Sequence, residues 1–143
     1  MIKNFRHIGI VIKDINKSLQ FYQNILGFRL LKKSEENSSF IDTLLQLTET
    51  KLTTYKLEIS DGTIVELLDY EDYKEPRELL KPNDIGITHF AFTVENLDNL
   101  YKNLLQNNVE VLSRPQLSPD NYARVFFCRD FENNLIELVE EIK

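Results

Sequence analysis

The chain contains two histidines, His7 and His89, and each occupies the same place in one of two related stretches, FRHIGIVI and ITHFAFTV. In both stretches apolar residues alternate with the histidine and a very small residue, Gly9 or Ala91, which is the period-two pattern of a β-strand. Imidazole is a common metal ligand and an effective acid or base. A histidine beside a very small residue therefore predicts a strand face with room for a metal ion or another ligand.

Two glutamates hold matching positions late in each half of the chain, Glu66 in the string IVEL and Glu137 in the string LIEL. Two imidazoles and two carboxylates offer nitrogen and oxygen donors that suit one divalent Zn, Ni, Co, Mn or Fe ion. Taken singly, each residue has a simpler interpretation: a strand histidine is more often structural, and a glutamate between apolar residues often faces solvent. The matching registers favour a metal site formed by His7, Glu66, His89 and Glu137.

The expected order of elements is a strand, a helix and three further strands, and this order occurs twice. His7 precedes His89 by 82 residues, whereas Glu66 precedes Glu137 by only 71. The first half is therefore longer, and we expect most of its extra residues between positions 33 and 52. Such loops often carry substrate selection.

Local signals set the limits of several elements. A helix is expected to begin at a capping residue, either Asp14 or Asn16, and to end at Gly27, where a left-handed backbone costs little. Asp61 and Gly62 are typical of a β-hairpin turn.

Composition and periodicity predict the structure of the remaining segments. Residues 35–39 predict a polar loop, and residues 40–45 predict either a short helical turn or the rim of a pocket. The charged, proline-containing residues 70–84 suit a connection between the two halves. A second helix is expected over residues 96–105, ended by two asparagines, and residues 109–112 are expected to form the next strand.

Composition limits the classes of function. The net charge of −6 and the pI near 5.0 leave no basic stripe for nucleic acid. No apolar run approaches the roughly 20 residues of a membrane helix. The single cysteine, Cys128, excludes an intrachain disulfide framework, so that we expect a cytoplasmic protein whose metal ligands are nitrogen and oxygen.

Five motifs carry a family resemblance: the HIGIVIKD opening, the NILGF helix end, the second opening THFAFTVE, the NLIEL ending and the duplicated element order. Together they resemble the vicinal oxygen chelate superfamily of glyoxalase I, methylmalonyl-CoA epimerase, extradiol dioxygenases, fosfomycin-resistance enzymes and bleomycin-binding proteins. The resemblance covers essentially the whole chain. It implies an α+β fold in which two tandem βαβββ modules form a curved, pseudo-twofold mixed β-sheet with a metal site in its cavity.

The resemblance also implies boundaries and partners. Module 1 would span about residues 1–69, a linker about residues 70–84 and module 2 about residues 85–143, all within one domain. A small-molecule substrate and a homodimer are expected. The segment before the last strand reads DFEN where many members have DPDG, and because Asn133 is able to adopt a turn conformation, we expect a changed turn and an intact site.

In glyoxalase I and its relatives the metal ligands fall on positions equivalent to His7, Glu66, His89 and Glu137. The resemblance implies a metal-dependent lyase or isomerase acting on a small carbonyl substrate through an enediolate or enolate. Glu137 is the expected general base and Glu66 the second candidate. The sequence after Glu66 does not match the glutathione-contacting segment of glyoxalase I. The resemblance therefore does not say whether glutathione is part of the substrate.

Other reactions and other residues remain as alternatives. An acyl-CoA epimerase is the nearest competitor, and a metal-free binding or resistance protein is a different class that usually lacks the ligand set. Arg124 could meet an anionic substrate group or lie at the surface, and Tyr55 and Leu57 could line the cavity or pack in the core. Cys128 is expected to be a small buried side chain and no nucleophile.

Overall fold

The computed structural model describes residues 1–72 and 74–142, and the chain forms two compact units, Met1–Pro76 and Arg77–Lys143. Each unit has its own four-stranded sheet and its own buried core. Within the described ranges, none of the helices is long and apolar enough to cross a lipid bilayer.

The first unit is a mixed sheet with helices in two of its connections. Its elements are β1 (Ile8–Ile12), α1 (Ile15–Leu19), a π-helical segment (Gln20–Ile25), β2 (Arg29–Glu36), α2 (Ser39–Leu45), β3 (Leu52–Glu58) and β4 (Ile64–Tyr70). The strands lie in the order β1-β4-β3-β2. β1 pairs with β4 in parallel, and the other neighbours are antiparallel.

The second unit repeats this arrangement. Its elements are β5 (His89–Thr93), α3 (Leu97–Gln106), β6 (Gln116–Leu117), β7 (Ala123–Arg129) and β8 (Leu135–Glu141). The strand order is β5-β8-β7-β6, and β5 again pairs in parallel with the last strand of its unit. The predicted α+β fold of two βαβββ modules is confirmed, and each module carries a four-stranded mixed sheet of its own.

The predicted alternation along the first strand is confirmed. Ile10 and Ile12 are buried, whereas Gly9 and Val11 on the opposite face are exposed. Large side chains that are almost fully buried build the two cores: Phe21, Tyr22, Leu57, Val65 and Leu67 in the first unit, and Leu97, Leu104, Phe126, Leu135, Ile136 and Leu138 in the second. Burying each such side chain contributes roughly 1.5–3 kcal/mol, which fixes which face of each strand points inward.

The first helix begins at Asp14, one of its two expected caps. The Asp14 carboxylate accepts hydrogen bonds from the backbone N–H groups of Asn16 (3.0 Å) and Lys17 (3.2 Å). After Leu19 the helix changes to π-helical geometry, and it ends before Gly27, which has φ +80° as expected. The helix of the second unit begins at a cap residue as well, with Asn96 accepting from the N–H of Asn99.

The hairpin predicted at Asp61 and Gly62 is confirmed, but its turn is one residue longer than the simplest hairpin. The Thr63 N–H donates to the Asp61 carboxylate at 2.8 Å, and Gly62 has φ +87°. The backbone pair that closes the loop is Ile59 N–H to Thr63 O at 3.1 Å, which leaves three residues in the turn.

Two predictions at the edges of the sheets are wrong. β2 continues to Glu36, so the first two residues of the expected loop at positions 35–39 are in a strand. Residues 109–112 do not form a regular strand; Val111 makes one isolated bridge, and the edge strand resumes only as β6 after Pro115. Proline has no N–H to donate to a strand ladder, so β6 begins directly after Pro115.

Replacing Asp14 by Ala is expected to lower the free energy of unfolding by about 1 kcal/mol, because two backbone N–H groups lose their acceptor. Asn16→Ala is the matched control. It removes the alternative cap residue, and alanine is the better helix former, so its stability should equal or exceed that of the wild type. Urea denaturation followed by circular dichroism measures both variants, and an equal loss in Asn16→Ala would contradict Asp14 as the cap.

Candidate functional site

The first unit brings His7 and Glu66 together. Gly9 lies directly opposite Glu66 in the parallel pairing of β1 with β4, and His7 stands two residues before Gly9, directly ahead of β1. Its Nε2 atom is 3.1 Å from the Glu66 Oε2 atom. The Glu66 side chain is only 12% exposed, against 34% for His7, so the carboxylate is held largely out of solvent.

The second unit repeats this pair with His89 and Glu137. Ala91 lies opposite Glu137, and the His89 Nε2 atom is 3.4 Å from the Glu137 Oε2 atom. The other ring nitrogen, Nδ1, is 3.0 Å from the Thr88 hydroxyl, a contact that orients the ring. The two pairs are therefore equivalent in sequence, in register and in the ring nitrogen that faces the carboxylate.

The chemistry and spacing of each pair fit a divalent metal ion. With metal–ligand bonds of about 2.1 Å, adjacent donors are separated by roughly 3.0 Å in octahedral and roughly 3.4 Å in tetrahedral coordination. The observed separations of 3.1 and 3.4 Å lie in this range, and they also suit a histidine–carboxylate hydrogen bond. Within residues 1–72 and 74–142, no group of three or more histidine, cysteine or carboxylate side chains forms a metal site, so each pair offers two ligands.

The space above Gly9 is smaller than its lack of a side chain suggests. A Cβ atom at this position would lie 3.3 Å from the Leu68 Cδ1 atom, so Leu68 leans over the glycine. Glycine here therefore allows close packing of β1 and β4 next to the first pair.

Lys56 is a neighbour of the first pair that sequence reasoning missed. It lies opposite Glu66 in the antiparallel pairing of β3 with β4, and its Nζ atom is 3.9 Å from the Glu66 Oε1 atom. A two-residue turn would place Tyr55 and Leu57 across from the Glu66 strand, whereas the three-residue turn of the structure places Lys56, the residue between them, opposite Glu66. Tyr55 and Leu57 are buried at 9% and 0% exposure and pack in the core.

The equivalent neighbour of the second pair is Phe127. It lies opposite Glu137 in the pairing of β7 with β8, and its ring meets the His89 ring edge to face with centroids 5.2 Å apart. The two pairs share their donors and differ in the next strand, which carries a cation in one unit and an aromatic ring in the other.

Arg124 takes no part in either pair. Its guanidinium contacts both carboxylate oxygens of Asp98 at 2.7 and 2.9 Å and the Glu140 carboxylate at 3.4 Å. The hydrogen bond from Arg124 holds the pKa of Asp98 below its ordinary value. Arg124 thus joins α3 to β7 and β8, which is a structural role.

The turn before the last strand is stabilised by the side chain of Asp130. Asn133 adopts the left-handed conformation with φ +65°, as expected. The Asp130 carboxylate accepts hydrogen bonds from the backbone N–H groups of Glu132 (2.9 Å) and Asn134 (2.8 Å). This turn fixes the start of β8 and so the position of Glu137, three residues after Asn134.

Cys128 is fully buried, as expected for a small core side chain. Burial, with a smaller contribution from the charge of Asp130, raises the pKa of its thiol to about 12. A thiol of this kind is protonated at neutral pH and is no nucleophile.

The sequence is similar to those of known proteins along most of its length. A sequence model described as "Glyoxalase/Bleomycin resistance protein/Dioxygenase superfamily" matches residues 4–138. The Bacillus subtilis protein YwkD is 31% identical over 99% of both chains. The metallothiol transferase FosB of Staphylococcus haemolyticus is 28% identical over 96% of this chain and 84% of its own. The lactoylglutathione lyase of Schizosaccharomyces pombe is 28% identical over 94% of this chain and 46% of its own.

Comparison with solved structures supports the fold. A glyoxalase family protein from Bacillus cereus superimposes with a TM-score of 0.91 over 100% of this chain and 97% of its own, at 19% identity. At this identity the likeness concerns the arrangement of the backbone.

The thiol of Cys128 is expected to resist modification in the folded protein. With a pKa of about 12, roughly one thiol in ten thousand is ionised at pH 8. Ellman's reagent should therefore react at least about 100-fold more slowly with the native protein than with protein in guanidinium chloride, where one thiol per chain should react. Cys128→Ala gives the background. Rapid reaction of the native protein would contradict the buried position.

Proposed function

Because the chain belongs to the Glyoxalase/Bleomycin resistance protein/Dioxygenase superfamily, we propose that it is a metal-dependent lyase or isomerase of the glyoxalase I type, acting on a small carbonyl substrate. The observation that carries the proposal is the equivalence of the two pairs. In each, a histidine contacts a glutamate that lies opposite a very small residue in a parallel strand pair.

We infer that His7, Glu66, His89 and Glu137 together hold one divalent ion, with Ni, Zn, Co, Mn and Fe all compatible with this donor set. When bound, such an ion supplies Lewis-acid polarisation of a carbonyl oxygen. The set requires both pairs, from one chain or from two copies in the expected homodimer. Light scattering of the purified protein gives the oligomeric state.

Glu137 is the better candidate for the group that moves the substrate proton. Lys56 lies 3.9 Å from Glu66, so the Glu66 carboxylate already has a cationic neighbour. The equivalent neighbour of Glu137 is the uncharged Phe127, and the Glu137 side chain is 26% exposed, compared with 12% for Glu66. The negative charge of Glu137 therefore has no lysine opposite it, and its carboxylate is easier for a substrate to reach.

Two further reactions could use the same donors. Epimerisation of an acyl-CoA also shifts a proton next to a carbonyl, so it is the nearest alternative. The similarity to a metallothiol transferase favours thiol transfer as a second candidate. These reactions differ in a measurable way, because lyases, isomerases and epimerases of this kind exchange a substrate proton, whereas thiol transfer consumes a thiol. A metal-free binding protein would do neither.

The purified protein is expected to contain about one divalent ion per chain, and His89→Ala should lose it because one of the nitrogen donors is gone. Glu137→Gln should bind the ion more weakly. Its matched control is Glu140→Gln, which removes a carboxylate from the same strand that contacts Arg124 and the N–H of Leu97. Mass spectrometry measures the metal content of each protein, and circular dichroism shows whether each variant is folded.

Unchanged metal content in folded His89→Ala would contradict the four-residue site. Equal metal loss in Glu137→Gln and Glu140→Gln would show that the loss follows general destabilisation. A protein that refuses added Ni, Co, Zn and Mn would favour the metal-free binding class.

Proton exchange tests the reaction itself. With hemithioacetals of methylglyoxal or acyl-CoA epimers in deuterium oxide, the wild type should introduce deuterium next to the carbonyl. At equal metal occupancy Glu137→Gln should lower the rate by about 10²–10⁴-fold, the usual size of a general-base contribution, and Glu66→Gln by less than about tenfold. The reverse order would assign the base to Glu66. A parallel assay with a free thiol and an electrophilic acceptor tests thiol transfer, and loss of the free thiol there, with no deuterium exchange in the first assay, would favour the transferase reaction.

A further inference from the structure

The face of the first sheet that carries Glu66 also carries a pair of lysines. Lys56 of β3 lies opposite Glu66 on one side and opposite Lys32 of β2 on the other. These side chains share one face because directly paired residues of neighbouring strands point the same way. Like charges directly opposite each other destabilise a sheet, so this arrangement carries a cost that packing does not explain.

An irregularity in β2 produces this arrangement. The pairing of β2 with β3 shifts between Leu30 and Lys32, so that Leu30 pairs with Leu57 and Lys32 pairs with Lys56. In a regular ladder Lys32 would pair with Tyr55, on the opposite face. β-bulges often turn a side chain toward a functional site, and this one turns Lys32 toward the Glu66 face.

The two cations differ in what surrounds them. The Lys56 ammonium lies 3.9 Å from Glu66, and about a third of its side chain is exposed. Lys32 is exposed, and among the described residues no carboxylate lies within 4.0 Å of its ammonium group. The next cation on this face, Arg29, is already paired with Glu58.

Metal binding at the first pair would change the balance of charge at this point. Without a metal, the Glu66 carboxylate is shared between His7 and Lys56. A divalent ion held by Glu66 would neutralise the charge of this carboxylate, and the Lys56 ammonium would then lie beside a second positive centre. A negative group on the substrate would relieve this repulsion.

We propose that Lys56, supported by Lys32, is an anion subsite beside Glu66, so that the substrate is a small carbonyl compound bearing a carboxylate, phosphonate or phosphate group. The inference rests on the proposed metal-dependent function. The second unit lacks this feature because Phe127 stands where Lys56 stands, so the anionic end of the substrate is directed to the first pair.

One test of Lys56 needs no metal. Glu66→Gln removes the carboxylate that competes for Lys56, so the metal-free variant should bind phosphonoacetate in isothermal titration calorimetry at pH 7.5. Adding Lys56→Met should weaken this binding about tenfold, the effect of one charge-assisted hydrogen bond of about 1.4 kcal/mol. Adding Lys33→Met is the matched control, because Lys33 lies on the opposite face with its ammonium 5.5 Å from the Tyr55 ring centroid.

A second test uses the metal-loaded protein with two chelators that differ in charge. Acetohydroxamate presents two neighbouring oxygens, and phosphonoacetohydroxamate presents the same oxygens with an added phosphonate. The preference of the wild type for the phosphonate compound should fall about tenfold in Lys56→Met, be largely retained in Lys56→Arg and be unchanged in Lys33→Met. A parallel pair, butyrohydroxamate and the monohydroxamate of succinate, distinguishes a carboxylate from a phosphonate preference.

The two tests separate the possible failures. The subsite is overturned if Lys56→Met leaves phosphonoacetate binding unchanged in the Glu66→Gln background, whatever the metal result. It is equally overturned if the loaded protein binds both hydroxamates without dependence on Lys56, in which case the metal site stands. Failure of the wild type to take up metal overturns the proposed function, and the metal-free test still decides the role of Lys56.

Discussion

The candidate site depends on the parallel pairing between the first and last strands of each module. This pairing places Glu66 opposite Gly9 and Glu137 opposite Ala91, so that a histidine two residues earlier reaches the carboxylate. The register is fixed by packing, since Val65 and Leu67 on either side of Glu66 are fully buried. A slip of one residue would turn the glutamate into the core and these two side chains toward solvent, which the loss of apolar burial forbids.

The two modules keep their symmetry at the donors and lose it one strand away. Gly27 and Asn108 end the equivalent helices at an offset of 81 residues, whereas Lys56 and Phe127 are offset by 71. The ten additional residues of the first module therefore lie between its helix and β3, where the structure has a long β2, the bulge after Leu30 and helix α2. The asymmetry that turns Lys32 toward Glu66 originates in the same segment that distinguishes the modules in length.

Most of the backbone was predictable because strong local signals agreed with the repeat. Strand alternation, the cap at Asp14, the turn at Gly62 and the paired histidines all survive in the structure. The errors occur where tertiary context decides. The bulge in β2 and the extension to Glu36 have no local signature, because an exposed edge strand tolerates charge as readily as a loop does. Lys56 was missed because identifying it requires the register of β3 against β4, which a turn of uncertain length does not give.

The strands of each module make different contributions to the candidate site. The first and last strands of each module, β1 with β4 and β5 with β8, carry the candidate donors Glu66, His89 and Glu137 and the very small residue that lies opposite each glutamate, and His7 stands directly before β1. The next strand, β3 or β7, carries none of the candidate donors. Its side chain opposite the glutamate is a lysine in the first module and a phenylalanine in the second. A residue in that position lies opposite the carboxylate that would hold the metal, so a single substitution there would alter charge and shape beside the candidate donors without removing one of them. In this chain the choice of lysine on one side and phenylalanine on the other gives two equivalent pairs unequal surroundings, and it leaves Glu137 as the carboxylate less engaged by a neighbouring cation.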